Sequence, residues 1–195
     1  MTKPLLRLLP LLFVFIPTVA CAHPGLHADG FTHGFSHPFS GIDHVMVMVA
    51  VGLFAAHLGR RALWLVPASF LAVMALGGAF GMAGIALPFV EFAIGLSVVV
   101  LGLAIALQVS VPTFAAMGLV AFFAVFHGHA HGSEMSDTAP GLAYGLGFIA
   151  ATAALHGIGL GLGIGANGAF RGRRIVQAGG GAMAVAGVAL LAGIL

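Results

Sequence analysis

An all-helical membrane bundle is the fold this sequence predicts, and three observations carry that reading. Of its 195 residues, 61% are hydrophobic and only 6% charged, against about a quarter charged in a soluble domain. The mean hydropathy, +1.15, is far too high for a chain that covers itself with a water-facing surface. The apolar residues also gather into stretches long enough to cross a bilayer, parted by short segments that hold most of the charges. A soluble catalytic domain is excluded, because no large polar segment exists to build one.

Taken in order, residues 1–22 read as a secretory signal. Lys3 and Arg7 supply the positive start, Leu8 to Ala20 the apolar run, and Ala20-Cys21-Ala22 a small-residue cleavage pattern. Cleavage after Ala22 is the favoured reading; a lipid-modified Cys21 and an uncleaved first helix are the alternatives. Residues 23–38 form an extracytoplasmic leader rich in histidine (His23, His27, His33, His37), of the kind that gathers cations loosely. After cleavage, the His23 amine and imidazole would together offer a grip on a metal.

Residues 39–195 then divide into six spans. The first runs from Phe39 to Leu58, the second from Leu63 to Ala86, and the third from Glu91 to Leu107. The fourth leads from Thr113 into the stretch around His127, the fifth covers Leu142 to Ile164, and the sixth begins at Ile175. Arg60 and Arg61 lie between spans one and two, and Arg171, Arg173 and Arg174 between five and six. With the mature N-terminus outside, every one of these arginines faces the cytoplasm, as positive residues prefer. The expected location is therefore an inner membrane, with the mature N-terminus on its outer side. The basic residues form small clusters rather than a stripe, so the formal charge of +2 implies no nucleic-acid partner. The lone Cys21 excludes an intrachain disulfide and any multi-cysteine metal site.

Ten histidines beside one tyrosine and one tryptophan are the anomaly. In Phe126-His127-Gly128-His129-Ala130-His131-Gly132-Ser133-Glu134, the residues His127, His131 and Glu134 fall at i, i+4 and i+7, on one helical face. Gly128 and Gly132 make the neighbouring face small enough for another helix to approach closely. A second stretch, His37-Pro38-Phe39-Ser40-Gly41-Ile42-Asp43-His44, sets two histidines seven residues apart, with a carboxylate beside the second. If the helix begins that early, His37 and His44 are two turns apart. Ionisable groups at membrane depth cost free energy unless paired, hydrated or bound to a cation, so they point to function. Imidazole and carboxylate together suit a borderline divalent metal such as Ni, Co or Zn. The topology puts His37, Asp43, His44, His127, His131, Glu134 and Glu91 near one face of the membrane, where they can converge.

The remaining polar residues carry two readings each. His129 points off the common face towards solvent, or is a secondary ligand. His156, inside span five, is a second station on a permeation path or a buried histidine bonded to a carbonyl. Glu91 either caps a helix start or balances charge. His57, beside the cytoplasmic arginines, is an interfacial residue or an exit site. Met46 and Met48 are packing residues rather than ligands.

Both motifs resemble those of the HupE/UreJ family of bacterial nickel permeases. Its His-x5-Asp-His motif is matched by His37, Asp43 and His44, and its Phe-His-Gly-x-Ala-His-Gly-x-Glu motif by Phe126, His127, Gly128, Ala130, His131, Gly132 and Glu134. The resemblance implies secondary transport of Ni(II), with Co(II) as the other plausible cargo, and no fixed cofactor. It implies His37, Asp43, His44, His127, His131 and Glu134 as the groups that capture and pass the ion; the reading of the residues themselves leaves His23, His129, His156 and Glu91 as secondary candidates. Its partners would be the metal ion and the lipid bilayer, with nickel supplied to hydrogenase or urease maturation. Three rivals are a metal-binding sensor or accessory protein that moves nothing, a membrane di-metal oxidase built on His-x-x-x-His boxes, and an intramembrane serine protease on Ser97 and His156, which no nucleophile motif around Ser97 supports. The oxidase needs its histidines on the cytoplasmic side, whereas here they gather on the other.

Overall fold

The computed structural model describes residues 30–135, 141–167 and 170–194. The signal segment, its cleavage point and the leader histidines His23 and His27 lie outside the described residues. The rest is helical throughout: α1 (Gly30–Ser36), α2 (Ile42–Leu58), α3 (Ala62–Met82), α4 (Val90–Ala106), α5 (Thr113–Ser133), α6 (Gly141–Asn167) and α7 (Phe170–Leu191). One 3-10 turn, His37–Phe39, follows α1, and no strand occurs among the described residues. Phenylalanine, leucine and isoleucine side chains stand exposed around the bundle, together with Trp64, as a protein solvated by lipid requires. This is a multi-pass membrane protein.

Helices α2 to α7 follow the six expected stretches in order, but not with the expected bounds. Four of them, α3, α5, α6 and α7, are long and apolar enough to cross a membrane. The α4 helix has 17 residues, at the short end for a crossing. The expected first span, Phe39–Leu58, is not one helix: Gly30–Phe39 and Ile42–Leu58 meet at 85°. The break falls at Gly41, whose backbone is extended (φ −108°, ψ 122°). A methyl group there would sit 2.6 Å from Asp43 Oδ1 and 2.9 Å from His44 Nδ1, so glycine leaves room for these side chains to fold back over the bend. His37 and His44 are therefore on different segments rather than two turns apart on one helix. The described part of the leader, from Gly30, is helical rather than a loose metal-gathering tail, and its α1 packs on α6.

The second expected span is shorter than foreseen, because α3 stops at Met82 rather than Ala86. Gly84 takes up a left-handed conformation (φ 67°), and the Ile85 N–H reaches back to the Phe80 carbonyl at 3.1 Å. That six-residue bond is the usual way a glycine closes a helix.

The helices associate mainly as close pairs, α3 on α5, α4 on α7 and α2 on α6, with α2 also touching α3, α4, α5 and α7. Inside lipid such pairing relies on backbone approach rather than on hydrophobic burial. Gly128 and Gly132 of α5 supply it as foreseen: a methyl at Gly128 would run into the Met74 carbonyl of α3, and one at Gly132 into that of Gly78. On α2, a methyl at Gly52 would meet the His156 carbonyl of α6. The α2 helix is thereby central, and its buried face (Val47, Met48, Val51, Phe54, Ala55) lies in the core. Met48 is fully buried there, a packing residue as its surroundings in the sequence implied.

Candidate metal centre

The 85° bend brings the end of α1 and the start of α2 against the C-terminal turns of α5. His37 Nε2 lies 3.2 Å from Glu134 Oε2, a contact between residues 97 positions apart. His131 Nδ1 lies 4.0 Å from the same carboxylate oxygen. One ligand atom from each of His37, His131 and Glu134 falls within 4.8 Å of the others. Two donors each about 2.1 Å from one ion stand at most ~4.2 Å apart, so this group closes on a cation with a small adjustment.

Below this triad the rings continue inward in contact. The His131 ring lies 4.9 Å from that of His37 and 4.2 Å from that of His44. His44 in turn lies 4.9 Å from His127. The four imidazoles thus form an unbroken series, from half-buried His37 to His127, which is wholly buried.

Hydrogen bonds fix which ring nitrogens are free. His44 Nδ1–H donates to Asp43 Oδ1 at 2.9 Å, and the His44 backbone N–H donates to the same oxygen. The lone pair of His44 is then on Nε2, which is buried without a partner. Ser97 of α4 does the equivalent for His127. Its hydroxyl donates to the Ile94 carbonyl at 2.6 Å, so toward His127 Nε2, 2.9 Å away, the Ser97 oxygen acts as acceptor. His127 Nδ1 is left as a buried lone pair, and neither nitrogen of His131 has a hydrogen-bond partner. A carboxylate or hydroxyl that holds one imidazole nitrogen so that the other faces a metal is the usual outer support of such sites.

The secondary candidates separate. Glu91, in the first turn of α4, is exposed and lies outside the converging group. His129 is buried rather than solvated, and its Nε2–H donates to the Ile85 carbonyl at 2.7 Å. His156 is also buried, behind Phe70. His57 lies near the opposite end of the bundle, where it lines a small pocket with Gln108 and Arg173 and its Nε2 meets the Ser110 hydroxyl at 3.3 Å.

The roles of two residues here were not foreseen from the sequence. Ser97 reads as one serine in an apolar helix, and only the tertiary contact gives it a role. Tyr144, the one tyrosine of the chain, packs its ring against His33 and His37, and its buried hydroxyl is unpartnered. Tyr144, Phe148 and His131 line a cavity of about 100 Å³ between α3, α5 and α6, together with Met74, Met82 and Met135. The scarcity of tyrosine was the available signal.

Fold and site together define a polytopic helical membrane protein with a series of imidazoles leading inward from one end. The chain belongs to the HupE / UreJ protein family, which matches residues 11–190. It is 49% identical over 180 residues to Protein HupE of Rhizobium leguminosarum bv. viciae, an alignment that covers 91% of this chain and 93% of that protein. No solved structure matches it.

Proposed function

We propose that this protein is a permease that carries Ni(II), with Co(II) as a second cargo, inward across the bacterial inner membrane. The observation that carries the reading is the series His37, His131, His44, His127, with unpartnered nitrogens on His44, His127 and His131. A site meant to hold a metal permanently closes a full ligand shell around it. A series of partial shells sharing His131 instead lets an ion exchange one donor at a time. Glu134 and His37 capture the hydrated cation, His131 takes part in both shells, and His44 and His127 receive the ion with Asp43 as its nearest negative charge. The preference for a late first-row divalent ion follows from imidazole and carboxylate donors.

In this reading all six helices from α2 to α7 cross the bilayer, and the signal segment is removed. The histidine-rich end faces outward, and the arginines of the opposite end face the cytoplasm. Nothing in the cluster serves a reaction, and the cation is cargo rather than cofactor.

The test is uptake of radioactive nickel at trace concentration, with physiological magnesium, in cells lacking their own nickel importers. Wild type should accumulate nickel, excess cobalt should compete, and His44→Ala and His131→Ala should reduce uptake to background at equal expression. A well-expressed wild type that moves neither metal would remove the permease reading and leave that of a metal-binding accessory protein.

A further inference from the structure

His156 sits midway along α6 with about 1% of its surface exposed, and neither of its ring nitrogens has a partner among the described residues. A neutral imidazole always presents one N–H donor and one lone pair. Buried histidines that serve packing normally bond a carbonyl, as His129 does with Ile85; His156 has no such bond. Its backbone is held in place, because Gly52 of α2 packs directly against its carbonyl.

The surroundings offer further donors. Thr152, one turn before His156 on the same face of α6, is fully buried, and its hydroxyl lies 3.9 Å from Met74 Sδ. Met74 follows Phe70 by one turn of α3. The Phe70 ring stands edge-on to that of His156, with centroids 5.2 Å apart at 87°. The same ring lies 5.8 Å from that of His127. Phe70 thus neighbours both the innermost imidazole of the series and one more buried imidazole, and the lone pairs on His127 Nδ1 and on His156 are unused among the described residues.

We propose that His156, with the Thr152 hydroxyl and the Met74 thioether beside it, is a second binding station for the transported divalent cation, and that Phe70 is the gate between it and the outer cluster. The proposal rests on the permease reading. Nitrogen, oxygen and thioether donors together suit a late first-row ion better than Mg(II) or Ca(II), which require oxygen ligands. With Phe70 in its present place the two stations do not share an ion. Rotation of one aromatic side chain joins them, a smaller movement than sliding the glycine-packed helices past each other.

The experiment pairs equilibrium binding of radioactive nickel to the purified full chain with uptake in importer-deficient cells, for wild type, His156→Leu and His156→Cys. Binding and uptake by wild type are scored first, so that failure of the permease reading shows before any variant is judged. His156→Leu should keep nickel binding at the outer cluster, which is intact, lose the additional nickel that wild type takes up at saturation, and lose uptake by about tenfold or more. His156→Cys puts a thiolate in the same place and should shift the Cd(II)-to-Ni(II) uptake ratio toward cadmium by about tenfold. That ratio responds to ligand chemistry and not to packing, so it decides the matter even if His156→Leu expresses poorly. Wild-type uptake by His156→Leu, or an unchanged cadmium-to-nickel ratio in His156→Cys, would overturn the proposal and make His156 a merely structural histidine.

Discussion

Asp43 and Glu134 each meet a histidine, yet one carboxylate is tucked into a helix start while the other stands in the open. Asp43 is partly buried and places one oxygen 2.9 Å from both the backbone and the ring nitrogen of its neighbour His44. Glu134 leaves 61% of its side chain exposed and touches His37 across a long sequence separation. The first pair is local and set by helix geometry; the second exists only because the chain bends at Gly41. A carboxylate bonded to the nitrogen that does not face the ion orients and strengthens a ligand, whereas an exposed one is free to reach for a cation and let it go. In the proposed transport path the two acidic residues therefore do different work, Glu134 in capture and Asp43 in holding His44 ready.

Kinetics can break that comparison. The largest effect is expected at Asp43: Asp43→Ala should lower the maximal rate of nickel uptake by about 100-fold, and Asp43→Asn, which keeps an acceptor for His44, by about tenfold. Glu134→Gln should leave the maximal rate largely intact and raise the half-saturating nickel concentration, by about tenfold at most. Concentration-dependent uptake at equal expression separates the two outcomes. If both substitutions moved the same parameter by the same factor, the division between orienting and capturing carboxylates would fall.

Much of this was legible in the sequence, and the limits have physical causes. The helical membrane fold follows from composition, and the approach of α3 to α5 follows from Gly128 and Gly132 at helical spacing. The convergence of His37 with His131 and Glu134 was readable from topology, because the alternation of spans sends both stretches to one end. The 85° bend was not readable: Pro38 is tolerated in a first helical turn, so a helix running through it was an equally good fit. Gly41 shows its purpose only once Asp43 and His44 are seen folded over it. The early end of α3 and the burial of His129 belong together and were likewise hidden. The loop after Met82 comes back across α5, and nothing local in either segment announces the bond between Ile85 and His129.

Two smaller effects sharpen the comparison by asking what holds the neutral histidines. Ser97 does for His127 what Asp43 does for His44, but with a hydroxyl in place of a charge. Ser97→Ala frees His127 to carry its proton on either nitrogen and should cut uptake about fivefold, the worth of one neutral hydrogen bond at ~1 kcal/mol. Restoring the hydroxyl with Ser97→Thr should recover most of the rate, which a purely steric role would not explain. An uptake rate indifferent to Ser97→Ala would mean that the tautomer of His127 is set elsewhere.

His129 carries the smallest expected effect on uptake, because it lies in the same motif and yet turns away from the proposed path. Two residues from His127 and two from His131, it falls on another face of α5, where its N–H closes the loop between α3 and α4 at the Ile85 carbonyl. His129→Leu removes that bond and leaves the carbonyl to solvent or lipid headgroups, a loss of about 1 kcal/mol in stability. Thermal unfolding of the purified protein in detergent should therefore begin at a lower temperature, while nickel uptake per folded molecule stays at the wild-type level. The opposite pattern, unchanged unfolding with uptake lost as in His131→Ala, would put His129 on the path of the ion. It would also mean that nearness in sequence to the two ligating histidines counts for more than the helical face on which a residue stands.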